Sequence, residues 1–236
     1  MSQSRCVLLF SRSPLREGTA KGLPEASRLF AFARLRIAEA VRTLPGTDLV
    51  LVGDGPAPEG THSLSQRGQG FGERLRNAFV DVWALGYQEV VAVPSDVPAL
   101  GREALSAAFV ALGGNPVVLG PSPDGGVYLL GLAEDPGALF FSARWLTAHL
   151  ALDLFGRSRD AGRNPAVLSL LPDIDRRGDL LSMAADTALD PELRSLLECL
   201  LVLSARRPEP ARLVSRSPSR GRTAPRAPPS RASLAA

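Results

Sequence analysis

Two short turns carry the residue types best suited to chemistry. Pro94-Ser95-Asp96-Val97-Pro98 follows the apolar run Val90-Val91-Ala92-Val93, and Gly120-Pro121-Ser122-Pro123-Asp124-Gly125-Gly126 follows Val117-Val118-Leu119. If the two runs are neighbouring strands of one buried sheet, Asp96 and Asp124 meet at the edge where open α/β folds bind their ligands. Aspartates also follow the runs ending near Val52 and Leu170, namely Asp54 and the pair Asp173 and Asp175. Carboxylates gathered this way can hold one Mg²⁺ or Mn²⁺. A divalent ion there neutralises the charge that grows on a phosphate or diphosphate leaving group, while cations opposite grip the remaining oxygens. Arg12, Arg16 and Lys21 follow the first apolar run, and Lys21 is the only lysine in the chain.

The elements that must position these residues are legible in the hydrophobic pattern. Cys6 to Phe10 is a continuous apolar run, the pattern of a central strand buried on both faces. Ser11 to Pro24, with two prolines and two glycines, reads as a cation-rich loop. Leu29, Phe32, Ala33, Ile37, Ala40 and Val41 recur at helical spacing within Glu25 to Thr43, and Pro45-Gly46 ends that helix. Asp48 to Val52 is a second strand, residues 56–69 an irregular excursion, and Leu75, Ala78, Phe79, Val82 and Trp83 mark a helix stopped at Gly86. A strand over Glu89 to Val93 and a helix over Arg102 to Leu112 follow. Strands at Val117 and Val127 come next, and the link between them is too short for a crossover helix, so that pair is expected to be antiparallel. Further on, a helix is expected over Leu146 to Phe155, a strand over Ala166 to Leu170, and closing helices over Leu180 to Ala185 and Pro191 to Leu203. The alternation predicts a three-layer α/β sandwich around a mainly parallel, mixed sheet.

Charge divides the chain. Residues 204–236 hold eight arginines against Glu209, so they carry +7, and with a total of +3 the first 203 residues carry −4. The expected organisation is one domain over 1–203 and a disordered Arg/Pro/Ser-rich tail over 204–236. Because the basic excess lies in the tail, a nucleic-acid partner is not expected. Cys6 and Cys199 form no CxxC or Cys/His cluster, which excludes a zinc site of that kind. No segment has the roughly 20 apolar residues of a membrane span, so no membrane partner is expected and a cytoplasmic protein is the default. No P-loop and no Gly-x-Ser-x-Gly elbow is present, His62 and His149 lack partners at triad spacing, and Gly68, Gly70 and Gly72 do not fit GxGxxG.

The chain resembles bacterial GT-A-type glycosyltransferase-like proteins associated with radical-SAM or selenodomain partners and arsenosugar biosynthesis. These are similar in fold to the molybdenum-cofactor and phospholactate guanylyltransferases. The resemblance rests on Gln66-Arg67-Gly68 through Gly72-Glu73-Arg74 with Asn77-Ala78-Phe79, on Ser95-Asp96-Val97-Pro98-Ala99-Leu100, and on Leu119 through Gly126 with Tyr128 to Leu132. Trp145 with Thr147 and Asp173-Ile174-Asp175 complete it, in family order between about Cys6 and Leu181.

The resemblance implies a transferase using a nucleotide-activated donor, a small-molecule acceptor and Mg²⁺ or Mn²⁺. Asp96 would hold the metal with Asp175. Asp96 and Asp124 would be the catalytic residues, Asp124 with Gly125, Gly126 and Trp145 would line the substrate pocket, and Arg12, Arg16, Lys21 and Ser95 would bind nucleotide phosphate. The sequence departs from the family where a Lys-Thr-Arg-Leu run is replaced by Lys21-Gly22-Leu23-Pro24. Leu146 and Ala148 likewise stand in place of the serine and proline of a Trp-Ser-Thr-Pro run. Three readings stay open: glycosyl transfer, nucleotidyl transfer, and a nucleotide- or partner-binding module without turnover.

Overall fold

A computed structural model describes residues 5–135, 137, 140, 143–186 and 189–205. Seven strands form one sheet in the order β3-β2-β1-β4-β6-β5-β7. They are β1 (Arg5–Ser11), β2 (Thr47–Gly53), β3 (His62–Leu64), β4 (Glu89–Val93), β5 (Val117–Pro121), β6 (Val127–Leu132) and β7 (Ala166–Val167). β1 pairs in parallel with β2 and β4, β2 with β3, and β5 with β7. β6 is inserted between β4 and β5 and runs antiparallel to both. The expected mixed sheet is therefore present, and the carboxyl ends of β1, β2, β4, β5 and β7 share one edge.

Helices cover both faces, as the near-continuous apolar runs require. Alternate residues of the strands separate cleanly. Val7, Leu9, Val91 and Val93 pack with Ile37 and Val41 of α2 (Ser27–Arg42) and with Leu105 and Phe109 of α4 (Arg102–Leu112). Cys6, Leu8, Val90 and Ala92 face the other way, against Leu75, Phe79 and Val82 of α3 (Phe71–Ala84) and Leu150 and Leu154 of α5 (Leu150–Asp160). This gives the three layers. A third cluster joins Leu23, Leu29 and Phe30 to Ile174, to Leu180 and Met183 of α6 (Arg177–Ala184), and to Leu193, Leu197 and Leu200 of α7 (Pro191–Ala205).

The structure corrects the reading in four places. The expected loop over Ser11 to Pro24 contains a short helix, α1 (Pro14–Ala20), because Pro14 sits at its first position, where a missing N–H costs nothing. Within the excursion over 56–69, His62–Leu64 adds an edge strand. The helix expected from Leu146 starts at Leu150, since residues 145–149 form turns in which Leu146 takes φ 59°. The strand expected over Ala166 to Leu170 is two residues long. α7 runs to Ala205, two residues past the expected domain boundary, and residues 206–236 of the expected tail lie outside the described residues. Among the described residues no helix is long and apolar enough to cross a membrane.

Candidate active site

A cleft of about 510 Å³ opens at the carboxyl edge of the sheet. That is within the range of small-molecule and cofactor sites. Its floor is built by strand ends: Phe10 and Ser11 of β1, Val93 of β4 with Pro94 through Asp96 after it, and Asp124 and Gly126 between β5 and β6 with Val127 at the start of β6.

Asp173 and Asp175 reach the cleft through a simple alternation. Ile174 between them is fully buried in the third cluster. With Ile174 turned into that cluster, the carboxylates on either side of it are left to the cleft. Its N–H also donates to the Asp96 carbonyl oxygen at 2.9 Å, which ties this segment to the turn after β4. Both aspartates line the cleft.

Ligand oxygens of Asp124, Asp173 and Asp175 lie within 4.8 Å of one another. Three hard carboxylate donors suit Mg²⁺ or Mn²⁺. The crowding shows in Asp173, whose pKa is pushed up from 3.8 to about 6 by burial and then by Asp124, Asp96 and Asp175. A cation would relieve that repulsion.

Asp96 is placed differently from the expected metal pairing with Asp175. Its Oδ2 accepts a hydrogen bond from Lys21 Nζ at 2.7 Å, and Lys21 Nζ also donates to Asp175. Lys21 is held there by its backbone, with its N–H donating to the Glu17 carbonyl oxygen at 3.1 Å at the end of α1. Gly22 then turns the chain at φ 69° so that Leu23 enters the third cluster. Burial works against a charged Lys21, but Asp96 and Asp175 together hold its pKa above the ordinary lysine value. Glu17, also on the cleft wall, is raised by burial and by Asp96, with Lys21 and Arg12 pulling the other way.

The remaining expected site residues divide. Arg12 lines the cleft, with Nη1 3.6 Å from Glu17 Oε2. Ser95 lines it at 2% exposure, with its hydroxyl unpartnered among the described residues, as is Asp96 Oδ1. Arg16 is not among the lining residues: it is 72% exposed and donates to Asp54 Oδ2 at 2.6 Å. Gly126 lines the cleft and Gly125 does not. Gly125 has φ 89°, and a Cβ there would lie 2.0 Å from the Ala148 carbonyl oxygen, so its bareness admits neighbouring backbone rather than a ligand. Trp145 lines the cleft and packs against Gly72, where a Cβ would fall 2.2 Å from the indole nitrogen. That nitrogen donates to the Phe140 carbonyl oxygen at 2.9 Å.

Sequence reading named no role for Glu17, Gln66, Phe71 or Arg74, all of which line the cleft, and its metal pair of Asp96 and Asp175 included neither Asp124 nor Asp173 of the group that could hold an ion. The spacing of Asp173 and Asp175 around one apolar residue was the available signal for the last. Gln66, Phe71 and Arg74 fall within the stretch from Gln66 to Arg74 that carries the family resemblance, which was the signal for them, while Glu17 has none because it reaches the cleft from a helix that the sequence did not announce.

A family model described as "uncharacterized protein conserved in bacteria", DUF2064, matches residues 28–147, which is more than half of the chain. The chain belongs to the DUF2064 family. The matched part of this DUF2064 protein holds Ser95, Asp96, Asp124 and Trp145, while Lys21, Asp173 and Asp175 lie outside it. A protein of Desulfovibrio desulfuricans named as a nucleotide-diphospho-sugar transferase superposes with a TM-score of 0.72 at 23% identity, covering 85% of this chain and 98% of its own. Rv0371c of Mycobacterium tuberculosis follows at 0.53 and 15%, covering 77% of this chain and 98% of its own. The 4-diphosphocytidyl-2C-methyl-D-erythritol synthase of Anaerococcus prevotii gives 0.53 and 10%, with 83% and 97% covered. These likenesses give the DUF2064 chain the same fold as the nucleotide-diphospho-sugar transferase and the 4-diphosphocytidyl-2C-methyl-D-erythritol synthase. No curated protein matches it.

Proposed function

We propose that the protein is a divalent-metal-dependent transferase that moves a sugar from a nucleoside diphosphate donor to a small-molecule acceptor. The observation that carries this reading is the convergence of Asp124, Asp173 and Asp175 in one cleft whose wall also bears Lys21 and Arg12. The name of the Desulfovibrio desulfuricans protein, which this chain matches over 98% of that chain's length, favours sugar transfer. Nucleotidyl transfer is the second reading, favoured by a cytidylyltransferase of Leptospira borgpetersenii with the same fold.

Each side chain has a task in this scheme. Asp124, Asp173 and Asp175 would hold Mg²⁺ or Mn²⁺, which would supply the positive charge that neutralises a diphosphate leaving group. Asp96 sits beside them as the acid that orients the cations. Arg12 and Lys21 meet the diphosphate oxygens, and the buried Ser95 hydroxyl is free to bond a ligand oxygen. Phe71 and Trp145, with ring centroids 5.6 Å apart, form an aromatic wall against which a sugar or base packs.

The test is thermal unfolding of the full chain with UDP, GDP, CDP, CTP, GTP and UDP-sugars, each with and without Mn²⁺ or Mg²⁺. A nucleotide at about 100 times its Kd adds roughly 2.7 kcal/mol, a shift of a few degrees for a chain of this size. A shift that needs both metal and one nucleotide supports the reading and names the donor base. Absence of any such shift overturns it.

A further inference from the structure

Lys21 stands where a metal-binding site would be expected to hold its cation. Its ammonium bonds both Asp96 and Asp175, and Glu17 Oε1 lies 3.8 Å away. Asp175 is thus shared between this lysine and the group formed with Asp124 and Asp173. Asp96 keeps a second oxygen that is buried and unpartnered among the described residues, and the adjoining Ser95 hydroxyl, in a residue only 2% exposed, is unpartnered too.

We propose that Lys21 is an intramolecular stand-in for the divalent cation: it bridges Asp96 and Asp175 in the metal-free protein and yields Asp175 as it turns to the donor diphosphate. The inference rests on the metal-site reading given above. It follows from charge arithmetic within the cleft. Five carboxylates line it, those of Glu17, Asp96, Asp124, Asp173 and Asp175, against Arg12, Lys21 and Arg74. Without metal, Lys21 is the cation that keeps the two strand-edge turns together. A metal arriving alone must compete with a tethered ammonium that is always present. A diphosphate changes the balance, because it offers Lys21 a new anion. Gly22 and Leu23, beside the lysine, supply no second cation for it.

Metal and donor are therefore expected to bind with positive coupling, and the coupling is reciprocal. An ordinary phosphate-binding lysine would lower nucleotide affinity when removed and leave metal affinity alone or weaken it. A stand-in lysine, once removed, strengthens metal binding in the absence of nucleotide.

The experiment is calorimetric titration of Mn²⁺ into the full chain, without nucleotide, for wild type, Lys21→Met and Lys21→Arg, with circular dichroism confirming that each is folded. The inference expects Lys21→Met to bind Mn²⁺ about 10-fold or more tightly than wild type, and Lys21→Arg to stay within about 3-fold of it. Lys21→Met should also unfold at a lower temperature than wild type in EDTA and regain the difference when Mn²⁺ is added. Equal or weaker Mn²⁺ binding by Lys21→Met, or a gain by Lys21→Arg as large as that of Lys21→Met, overturns the inference while leaving the metal site standing. No Mn²⁺ binding by wild type or any variant overturns the metal site and this inference together. Should Lys21→Met fail to fold without metal, recovery of its fold in Mn²⁺ supports the inference, and failure to recover overturns it.

Discussion

Asp54 and Asp96 leave the same edge of the sheet from the two strands that flank β1, yet their carboxylates serve different ends. Asp54 has both oxygens occupied, by the Ser13 N–H at 2.5 Å and by Arg16 at 2.6 Å. Burial works to raise its pKa, but these donors and Arg34 hold it below the usual carboxylate value. It tethers the start of α1. Asp96 has one oxygen on Lys21 and the other buried without a partner among the described residues. The difference teaches that two aspartates at one sheet edge can stand in unlike states: the fold uses up the hydrogen-bonding capacity of Asp54 and leaves part of that of Asp96 unused.

Substitution sharpens the contrast. Asp96→Asn is expected to lower transfer by about 100- to 1,000-fold, the usual cost of losing one charge-stabilising group. Asp54→Asn should change it by less than about 3-fold, because exposed ion pairs contribute little. Steady-state kinetics on the two variants would merge the aspartates into one class if the losses were alike.

Asp173→Asn comes next in size. It should abolish the unfolding-temperature gain from Mn²⁺ and stabilise the metal-free protein at pH 7.5. The sign follows from the raised pKa. The folded state takes up a proton near pH 6 and the unfolded chain near 3.8. Above pH 6 folding therefore confines a repelled charge, and stability is lost as pH rises through that window. Removing the charge returns at most about 1 to 3 kcal/mol, measurable by urea unfolding in EDTA.

The same proton sets the pH dependence of metal binding. Mn²⁺ affinity should be flat above about pH 6.5 and weaken by up to about tenfold per pH unit below pH 6, as Asp173 neutralises. Titrations at several pH values check this, and affinity unchanged at pH 5 would remove Asp173 from the ligand set. The smallest effect belongs to Asp54→Asn, which should lower stability by about 1 kcal/mol or less.

The sheet was legible because its strands are buried on both faces and write themselves as unbroken apolar runs. The antiparallel β6 followed from a link too short for a crossover. α1 was not legible, since Pro14 and Gly18 are turn residues as readily as helix residues. β3 is three residues on an edge, with no core face to leave a pattern. In the site, Asp96, Asp124 and Asp175 could be named from strand ends, because strand direction fixes which edge they reach. The sign of Lys21 and its edge of the sheet were readable but its partners were not: the spacing put it on the same edge as the acids, and α1 carries it in to bond Asp96 and Asp175. Arg16, three-dimensionally a neighbour of Asp54, could not be told from Arg12 by sequence distance.

The Asp173-Ile174-Asp175 segment holds its carboxylates by parity. One residue added or lost just before Asp173 would send two acids toward the third cluster and lift the isoleucine into the cleft, leaving composition and charge untouched while undoing the site. Insertions a turn away in the β2–β3 excursion face no such arithmetic. Length variation among relatives of this chain should therefore stop short of this tripeptide and resume only beyond the start of α6.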